Sequence, residues 1–482
     1  NRPVQPFAPG EGGTLELVDE TLRDGSQSLW GMKMSYHSVE PVIGEIGEIG
    51  FSSIDIPTNV AAAVVYPRFF QEDPRTVYRM FAEKLKGTQS NILAAGLGTQ
   101  ISVSTPPDNR TAVRMVYEQF KEWTPQINQG MLVTCTQDEL SRSYPSIVPI
   151  WRNMGIEPIP YLAVGHGPRH TPEYYAGVVK EIVEKYQPTS ICFKDVDGLL
   201  TPERTRALLT ACGAVANGTP FEFHMHGMNG LHNYNAVVAM EMGVRKFTTC
   251  IPPLANASSH LSVYDVCRNA EKMGIAHKID IEKCKLVEER LIKIGKASNL
   301  PVANHPIPFD LTTYEHQIPG GVISNTRTQL EQLGMPEKLP EVLEEIPRIL
   351  EDMGYPVMIT PFSQFIVTQA VLNIQLGRWE QCLDSCVEFA AGMFGIEDAG
   401  VPYMDQNLKD KLLSLPHAKG LEARAADMVA YINSEPSEAE CKAAIGLPAD
   451  ASREEYVITK ILSQKDALKE ISPDPETYRK YL

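Results

Sequence analysis

The sequence lacks the features of a membrane protein, a disulfide-rich exported protein and a nucleic-acid-binding protein. None of its apolar runs approaches the roughly 20 residues that a membrane-spanning helix requires. Its nine cysteines include no CxxC pair, so we expect a reduced, cytoplasmic setting. Lysine and arginine number 44 against 60 acidic residues, and the net charge of −16 leaves no basic stripe for a phosphate backbone. We therefore expect neither a membrane segment nor a nucleic-acid partner.

What the sequence does contain is a regular alternation of short β-rich runs with helical patterns. Eight alternating units are typical of a closed (β/α)8 barrel, the TIM barrel of the α/β class. A doubly wound open sheet is the alternative, but no GxGxxG turn follows any of the runs. The β-rich runs lie at residues 15–19, 53–57, 92–96, 131–135, 157–164, 190–195, 221–226 and 246–251.

The strand pattern stops after about residue 300. Residues 340–354, 363–377 and 380–395 instead have helical periodicity with glycine or proline near their ends. A helical C-terminal domain is therefore expected after the barrel. The predicted organisation is an N-terminal lead-in, a TIM-barrel catalytic domain and a helical domain, at residues 1–13, 14–305 and 306–482.

Polar residues at the carboxyl ends of the predicted strands indicate a site, because chemistry in such barrels occurs at that face. His224 and His226 are two residues apart in a strand, so their side chains should project from the same face. Two imidazoles and a carboxylate such as Asp24 form a common ligand set for a divalent transition metal. The alternatives are two hydrogen-bonded surface histidines, and an Asp24 that only pairs with Arg23.

Lys194 lies at the end of the sixth predicted strand, next to Asp195. A protonated amine beside a cation there would be repulsive. Three roles are open: the amine forms a Schiff base, it lies outside the metal shell, or CO₂ has carbamylated it. A carbamate is an anion that a metal could bind. An ordinary surface pair of Lys194 with Asp195 is the remaining interpretation.

Several motifs resemble known proteins. "LVDETLRDGSQS" (17–28) resembles the first-strand signature of metal-dependent barrels that include isopropylmalate synthase, hydroxymethylglutaryl-CoA lyase and the biotin-dependent carboxyltransferases. Four further stretches resemble only the last group, which comprises the oxaloacetate decarboxylase α-subunit, the carboxyltransferase domain of pyruvate carboxylase and the central subunit of transcarboxylase. They are "SICFKDVDGLLTPE" (190–203), "FEFHMHGMNG" (221–230), "EHQIPGGVISNTRTQLEQLG" (315–334) and "ITPFSQFIVTQAVLNIQLGRW" (359–379).

The resemblance implies a metal centre and a set of catalytic groups. Zinc, manganese or cobalt would be held by Asp24, His224, His226 and a carbamylated Lys194. The substrate carbonyl and its developing enolate would contact Arg23 and Gln27. The hydroxyl residue that shuttles a proton between biotin and the enolate is the threonine of "MTSQP" in pyruvate carboxylase. The ungapped match here is "ASSHL", which assigns that role to Ser258 with Ser259 beside it, a loop serine being the alternative.

Three departures from the family concern the acceptor pocket. No arginine stands in residues 92–98, where related enzymes use the arginine of "LLRG" to bind a 2-oxo acid carboxylate. The family's "EVWGGATFD" is replaced by a different sequence at 55–65, and "KDMAG" becomes "KDVDG", which adds Asp197. The resemblance therefore implies a small-molecule carbonyl substrate and leaves its identity open.

The resemblance also implies partners. The sequence contains no "AMKM" biotinylation segment, so biotin would arrive on a separate carrier, with biotin carboxylase and carrier subunits as partners and a homodimer as the expected assembly. The main hypothesis is a carboxyltransferase subunit. The alternatives are a biotin-independent metal-dependent C–C lyase, decarboxylase or condensing enzyme on the same barrel, and a non-enzymatic subunit with a relic barrel.

Overall fold

The structure is a computed structural model that describes residues 13–57, 72–95, 108–359, 361–396 and 401–462. Eight parallel strands pair in chain order, and the pairing of the first strand with the eighth closes them into a barrel. This closure confirms the predicted TIM barrel and excludes the open sheet. The strands are β1 (Thr14–Asp19), β2 (Ser53–Ile56), β3 (Asn91–Ala95), β4 (Ile127–Thr134), β5 (Glu157–Ala163), β6 (Ile191–Asp195), β7 (Phe221–Met225) and β8 (Lys246–Cys250).

Helices follow the strands and cover the outside of the barrel. Two short strands that the sequence analysis missed, β9 (Leu261–Ser262) and β10 (Ala276–His277), extend the sheet beside β8 and β1. The helices of this region are Ser26–Trp30, Glu40–Ile46, Pro74–Lys84, Arg110–Trp123, Glu139–Arg142, Tyr144–Asn153, Pro172–Tyr186, Pro202–Gly213, His232–Glu241, Val263–Lys272 and Ile281–Ala297.

The barrel has a packed interior and a larger apolar layer between strands and helices. Inward-facing side chains of β1, β3, β4, β5 and β6 form the small interior cluster, which consists of Val18, Leu93, Met131, Ile159, Tyr161 and Cys192. In the outer layer Trp151 packs directly on β4, where a Cβ atom at Gly130 would lie 2.3 Å from its ring. The absence of a side chain at Gly130 therefore lets the helix approach the strand.

A helical region with its own apolar cluster follows the barrel. One predicted helix, 380–395, is wrong in extent, because only Asp384–Ala390 is helical. The preceding residues form a turn in which Trp379 has a positive φ of 57° and donates its indole N–H to Asp352. The other helices are Thr312–His316, Gly320–Gln332, Leu339–Asp352, Phe362–Leu376, Gln406–Leu413, Leu421–Ile432, Glu438–Ala444 and Arg453–Leu462.

The last two described helices return to the barrel. Helix Arg453–Leu462 carries Glu454, which accepts hydrogen bonds from Arg75 and from the indole of Trp123. Lys460 forms an ion pair with Asp108. Among the described residues, no helix is long and apolar enough to cross a membrane. Most of the predicted lead-in lies outside the described residues, and the domain boundary at residue 305 stays a prediction.

Candidate metal centre

Asp24 lies just beyond the end of β1, in a single π-helical turn that spans Thr21–Gly25. It is 6% exposed and lies at the carboxyl-end face of the barrel, as predicted. The next residue must be small, because a Cβ atom at Gly25 would lie 2.9 Å from both the Leu254 carbonyl oxygen and the Cys250 Sγ. The turn that carries Asp24 therefore packs closely against the segment that follows β8.

Three histidines converge on Asp24. The Nε2 atoms of His224, His226 and His260 lie 3.3, 3.5 and 3.2 Å from Asp24 Oδ2. Each of the four residues offers one atom that could bind a metal, and these four atoms all lie within 4.8 Å of one another. All four residues are buried. His224 and His226 thus face one point, as their spacing predicts, whereas His260 was missed by the sequence analysis.

Backbone carbonyls orient two of these rings. His226 Nδ1 lies 2.8 Å from the Ser258 carbonyl oxygen, and His260 Nδ1 lies 3.2 Å from the Met225 carbonyl oxygen. A carbonyl oxygen only accepts hydrogen bonds, so each Nδ1 carries the hydrogen. Burial lowers the pKa of His260 to about 3, so this ring is neutral and its Nε2 lone pair faces Asp24.

Lys194 meets His224 because the two residues are aligned partners in the β6–β7 register. Its Nζ lies 2.7 Å from His224 Nε2, 4.0 Å from Met131 Sδ and 5.7 Å from the centroid of the Tyr161 ring. Burial lowers the pKa of Lys194. The lysine predicted from the sequence is therefore a buried neighbour of the histidine cluster and not a surface residue.

These residues fit a divalent transition metal. Buried His226 and His260 each leave Nε2 without a hydrogen-bond partner among the described residues, which is the arrangement that a metal ligand requires. Burial opposes ionisation of Asp24, but the neighbouring Arg23 charge holds the pKa of this carboxyl well below its usual range. The cluster thus offers imidazole nitrogens and an ionised carboxylate, the donor types that zinc, manganese and cobalt accept.

Arg23 is held rigidly beside this cluster by three carboxylates. Its Nε lies 2.7 Å from Asp55 Oδ2 and 2.8 Å from Glu20 Oε2, and its Nη1 lies 3.1 Å from Asp24 Oδ2. Burial lowers the pKa of Arg23, but the three carboxylates outweigh burial and raise it well above the ordinary value. Glu20 and Asp55 are buried members of the site that the sequence analysis left out, although both lie at strand ends.

The other predicted residues occupy different surroundings. Gln27 is half-buried in helix Ser26–Trp30, four residues after Arg23. Ser258 is half-buried and donates its hydroxyl to the Ser28 carbonyl oxygen at 3.1 Å. Ser259 is fully buried and donates to the Leu254 carbonyl oxygen at 2.8 Å. Their predicted roles toward substrate and biotin stay predictions.

Two acidic residues, Asp195 and Asp197, lie close to Lys194 in the sequence. Asp195 accepts backbone hydrogen bonds from Leu199 and Leu200 at 2.7 and 3.0 Å, so it stabilises the turn after β6. Asp197 is fully buried, and burial raises its pKa well above the ordinary value. Of the two stretches predicted to change the acceptor pocket, 55–65 and 92–98, residues 58–65 and 96–98 lie outside the described residues.

Comparison with known proteins shows the family of the chain. Residues 14–290 match the family model described as HMGL-like, and residues 313–473 match the one described as a conserved carboxylase domain. Since the first match covers more than half of the chain, the chain belongs to the HMGL-like family. The resemblance to biotin-dependent carboxyltransferases noted from the motifs is confirmed by these two matches and by the relatives that follow.

Two curated relatives are components of carboxylases. The chain is 26% identical to a pyruvate carboxylase subunit of Methanocaldococcus jannaschii, over 79% of the chain and 66% of that protein. It is also 26% identical to the 2-oxoglutarate carboxylase large subunit of Hydrogenobacter thermophilus, over 89% of the chain and 64% of that protein. The chain thus spans about two thirds of the length of these relatives.

A solved structure shares the fold. The carboxyltransferase domain of Rhizobium etli pyruvate carboxylase, determined with pyruvate and biocytin, superposes with a TM-score of 0.78 at 17% identity. The superposition covers 99% of the chain and 84% of that domain. The barrel and the helical region after it therefore have the architecture of that domain.

Proposed function

We propose that this protein is the carboxyltransferase component of a biotin-dependent carboxylase or decarboxylase. It moves a carboxyl group between carboxybiotin on a separate carrier and an enolisable carbonyl substrate. The observation that carries the proposal is the convergence of Asp24, His224 and His226 beside Lys194. The match of residues 313–473 to a conserved carboxylase domain favours this function over a biotin-independent lyase, decarboxylase or condensing enzyme.

The proposed metal ligands are Asp24, His224 and His226, with zinc, manganese or cobalt as the ion. When bound, the ion supplies a Lewis acid that polarises the substrate carbonyl. We also propose that Lys194 is carbamylated and contributes a further oxygen ligand. The amine nitrogen forms a bond to the carbon of CO₂ and loses one proton to solvent, which leaves an anion. The lowered pKa of Lys194 supports this step, because only the neutral amine attacks CO₂.

Arg23 and Gln27 are proposed to bind the reacting oxygen. The guanidinium of Arg23 is held by Glu20 and Asp55, so it is oriented before substrate binds. It donates hydrogen bonds to the carbonyl oxygen, and these bonds strengthen as that oxygen gains enolate charge. Gln27 lies one helical turn further along the chain and donates its amide N–H to the same region.

Ser258 is proposed to carry the proton. In carboxylation its hydroxyl accepts the proton that leaves the substrate carbon and gives its own proton to the ring nitrogen of biotin. The N–carboxyl bond breaks and a C–carboxyl bond forms at the deprotonated carbon, so the serine is unchanged at the end. Half-burial of Ser258 and the contact of its carbonyl oxygen with His226 support a place at the edge of the metal centre.

The assembly is proposed from the relatives. Their names describe subunits, which supports a partner that carries biotin and a biotin carboxylase that loads it. All nine cysteines are free thiols, which supports a reducing, cytoplasmic setting. The substrate stays unassigned within the class of enolisable carbonyl compounds, and the homodimer stays a prediction.

The test is transfer of labelled carboxyl from carboxybiotin. Purified protein is loaded with zinc, manganese or cobalt and incubated with ¹⁴C-carboxybiotin and a panel of 2-oxo acids and acyl-CoA thioesters. We expect acid-stable label in at least one acceptor. His226→Gln should abolish transfer, whereas His305→Gln, which alters an exposed histidine, should leave it unchanged. Transfer no greater than that of His226→Gln for every acceptor would contradict the proposal.

A further inference from the structure

His260 lies within the candidate metal site, although the sequence analysis expected no residue of that loop to bind metal. Its side chain is fully buried, and its Nε2 approaches Asp24 Oδ2 to 3.2 Å, the shortest of the three histidine approaches. Its ring centroid lies 4.2 Å from that of His224 and 4.1 Å from that of His226. The ring thus faces the same point as the other two.

The backbone holds His260 and His226 as a matched pair. The two residues form an isolated antiparallel bridge. The Nδ1 atom of His226 faces the carbonyl oxygen of Ser258, two residues before His260, and the Nδ1 atom of His260 faces the carbonyl oxygen of Met225, next to His226. This leaves both Nε2 atoms without a hydrogen-bond partner in the described part of the chain, facing a carboxylate oxygen. Buried nitrogen and oxygen atoms repel one another when their lone pairs face each other with no hydrogen between them. A cation placed among them removes this repulsion.

We propose that His260 is a ligand of the same cation as Asp24, His224 and His226. The ion is then held by three imidazoles and one carboxylate, and a carbamate on Lys194 is an additional donor. This inference rests on the metal site of the proposed function but does not depend on carboxyl transfer. In the "MTSQP" motif of pyruvate carboxylase the aligned residue is glutamine, so the imidazole distinguishes this chain from those enzymes.

The test is metal binding by ligand variants. Protein stripped with a chelator is titrated with Co²⁺, with the dissociation constant measured by calorimetry and the ligand field by visible absorption. His260→Gln should weaken Co²⁺ binding at least about 10-fold and alter the absorption spectrum, as His226→Gln should. The matched control is His170→Gln. It changes another buried histidine, which packs against the rings of Tyr174 and Tyr175 outside the ligand group, and should leave both readouts unchanged.

Wild-type affinity and spectrum in His260→Gln, with loss of binding in His226→Gln, would overturn the inference. X-ray absorption of the Co²⁺-loaded unmodified protein counts the imidazoles around the ion. This measurement does not depend on whether a variant folds. Three imidazoles around the ion are expected, and a count of two, or no bound ion, would overturn the inference. Three imidazoles in a protein that transfers no carboxyl group would contradict only the proposed function.

Discussion

The Nζ atom of Lys194 lies 2.7 Å from Nε2 of His224, and the two residues are aligned partners on adjacent strands. The short distance follows from the register, since aligned residues of neighbouring parallel strands point to the same face of the sheet. A buried amine this close to the imidazole of His224, a proposed metal ligand, is in position to extend toward the proposed metal position once CO₂ is added. The register of β6 and β7 is therefore a direct structural basis for the proposed carbamate.

The carbamate can be detected on the unmodified protein. After exposure to ¹³CO₂ we expect a carbamate carbon resonance in the ¹³C NMR spectrum that is absent in Lys194→Met, because the neutral amine is the nucleophile. Lys194→Met should also lose carboxyl transfer and bind metal more weakly.

The matched control is Lys121→Met, which removes another lysine whose pKa burial lowers. The resonance should persist in this variant. A resonance that survives in Lys194→Met, or is absent from the wild type, would show that Lys194 is not carbamylated.

Ser258→Ala should separate proton transfer from metal binding. The variant removes the hydroxyl but keeps the backbone carbonyl that orients His226, so Co²⁺ affinity should stay at the wild-type value. We expect carboxyl transfer to fall by about 10²–10⁴-fold, the usual contribution of a positioned proton-transfer group. Ser258→Thr restores a hydroxyl and should recover most of the activity, and equal activity of the alanine and threonine variants would exclude the proton role.

Gly130→Ala tests the packing of the barrel. A Cβ atom there would lie 2.3 Å from the Trp151 ring, so the helix would have to move away from β4. We expect the free energy of unfolding to fall by about 1–3 kcal/mol. Gly177→Ala, in helix Pro172–Tyr186 with no atom within 4 Å of the new Cβ, should be neutral or stabilising by about 0.5–1 kcal/mol. Equal effects of the two substitutions in urea unfolding would contradict the packing.

The burial of His170 predicts that the folded protein loses stability as the pH falls. Burial, reinforced by Arg169 and Arg204, lowers its pKa from 6.5 to about 3. Between these values the unfolded chain binds a proton that the folded protein does not, so stability present above pH 6.5 is lost as the pH falls. The slope is at most about 1.4 kcal/mol per pH unit.

Urea unfolding between pH 7 and pH 4 measures this effect. His170→Leu should lose stability less steeply than the wild type over that range, because its site no longer titrates. His305→Leu, at an exposed position, serves as the control and should follow the wild-type slope. Parallel curves for His170→Leu and the wild type would mean that the folded protein tolerates a charged His170.

The barrel could be predicted because its strands are short apolar runs with helical segments between them. All eight predicted strands are confirmed within a few residues, and the predicted helix 340–354 is observed at Leu339–Asp352. Two-residue strands such as Leu261–Ser262 carry no periodicity and could not be found. The start of helix Asp384–Ala390 was missed because the preceding turn depends on a distant contact, between Trp379 and Asp352.

Part of the site could be predicted because its residues lie in, or directly after, regular strands. Alternation in β7 places His224 and His226 on one face, and strand-end positions suggest Asp24 and Lys194. His260 could not be found in this way, because it follows an irregular loop whose path depends on two residues with positive φ, Asn256 and Ala257. The antiparallel bridge to His226 brings it to the site, and the contact of its Nδ1 with the Met225 carbonyl oxygen orients the ring.

The central claim is that the carboxyl group passes through biotin to a substrate at the Asp24–His224–His226 centre. Avidin tests it most directly, because avidin sequesters biotin without touching this chain. With metal-loaded protein, a carboxybiotinylated carrier and an accepted substrate, we predict that added avidin stops carboxyl transfer and that His226→Gln gives the same loss without avidin. Turnover of the carbonyl substrate that continues at the same rate in the presence of avidin would contradict the account.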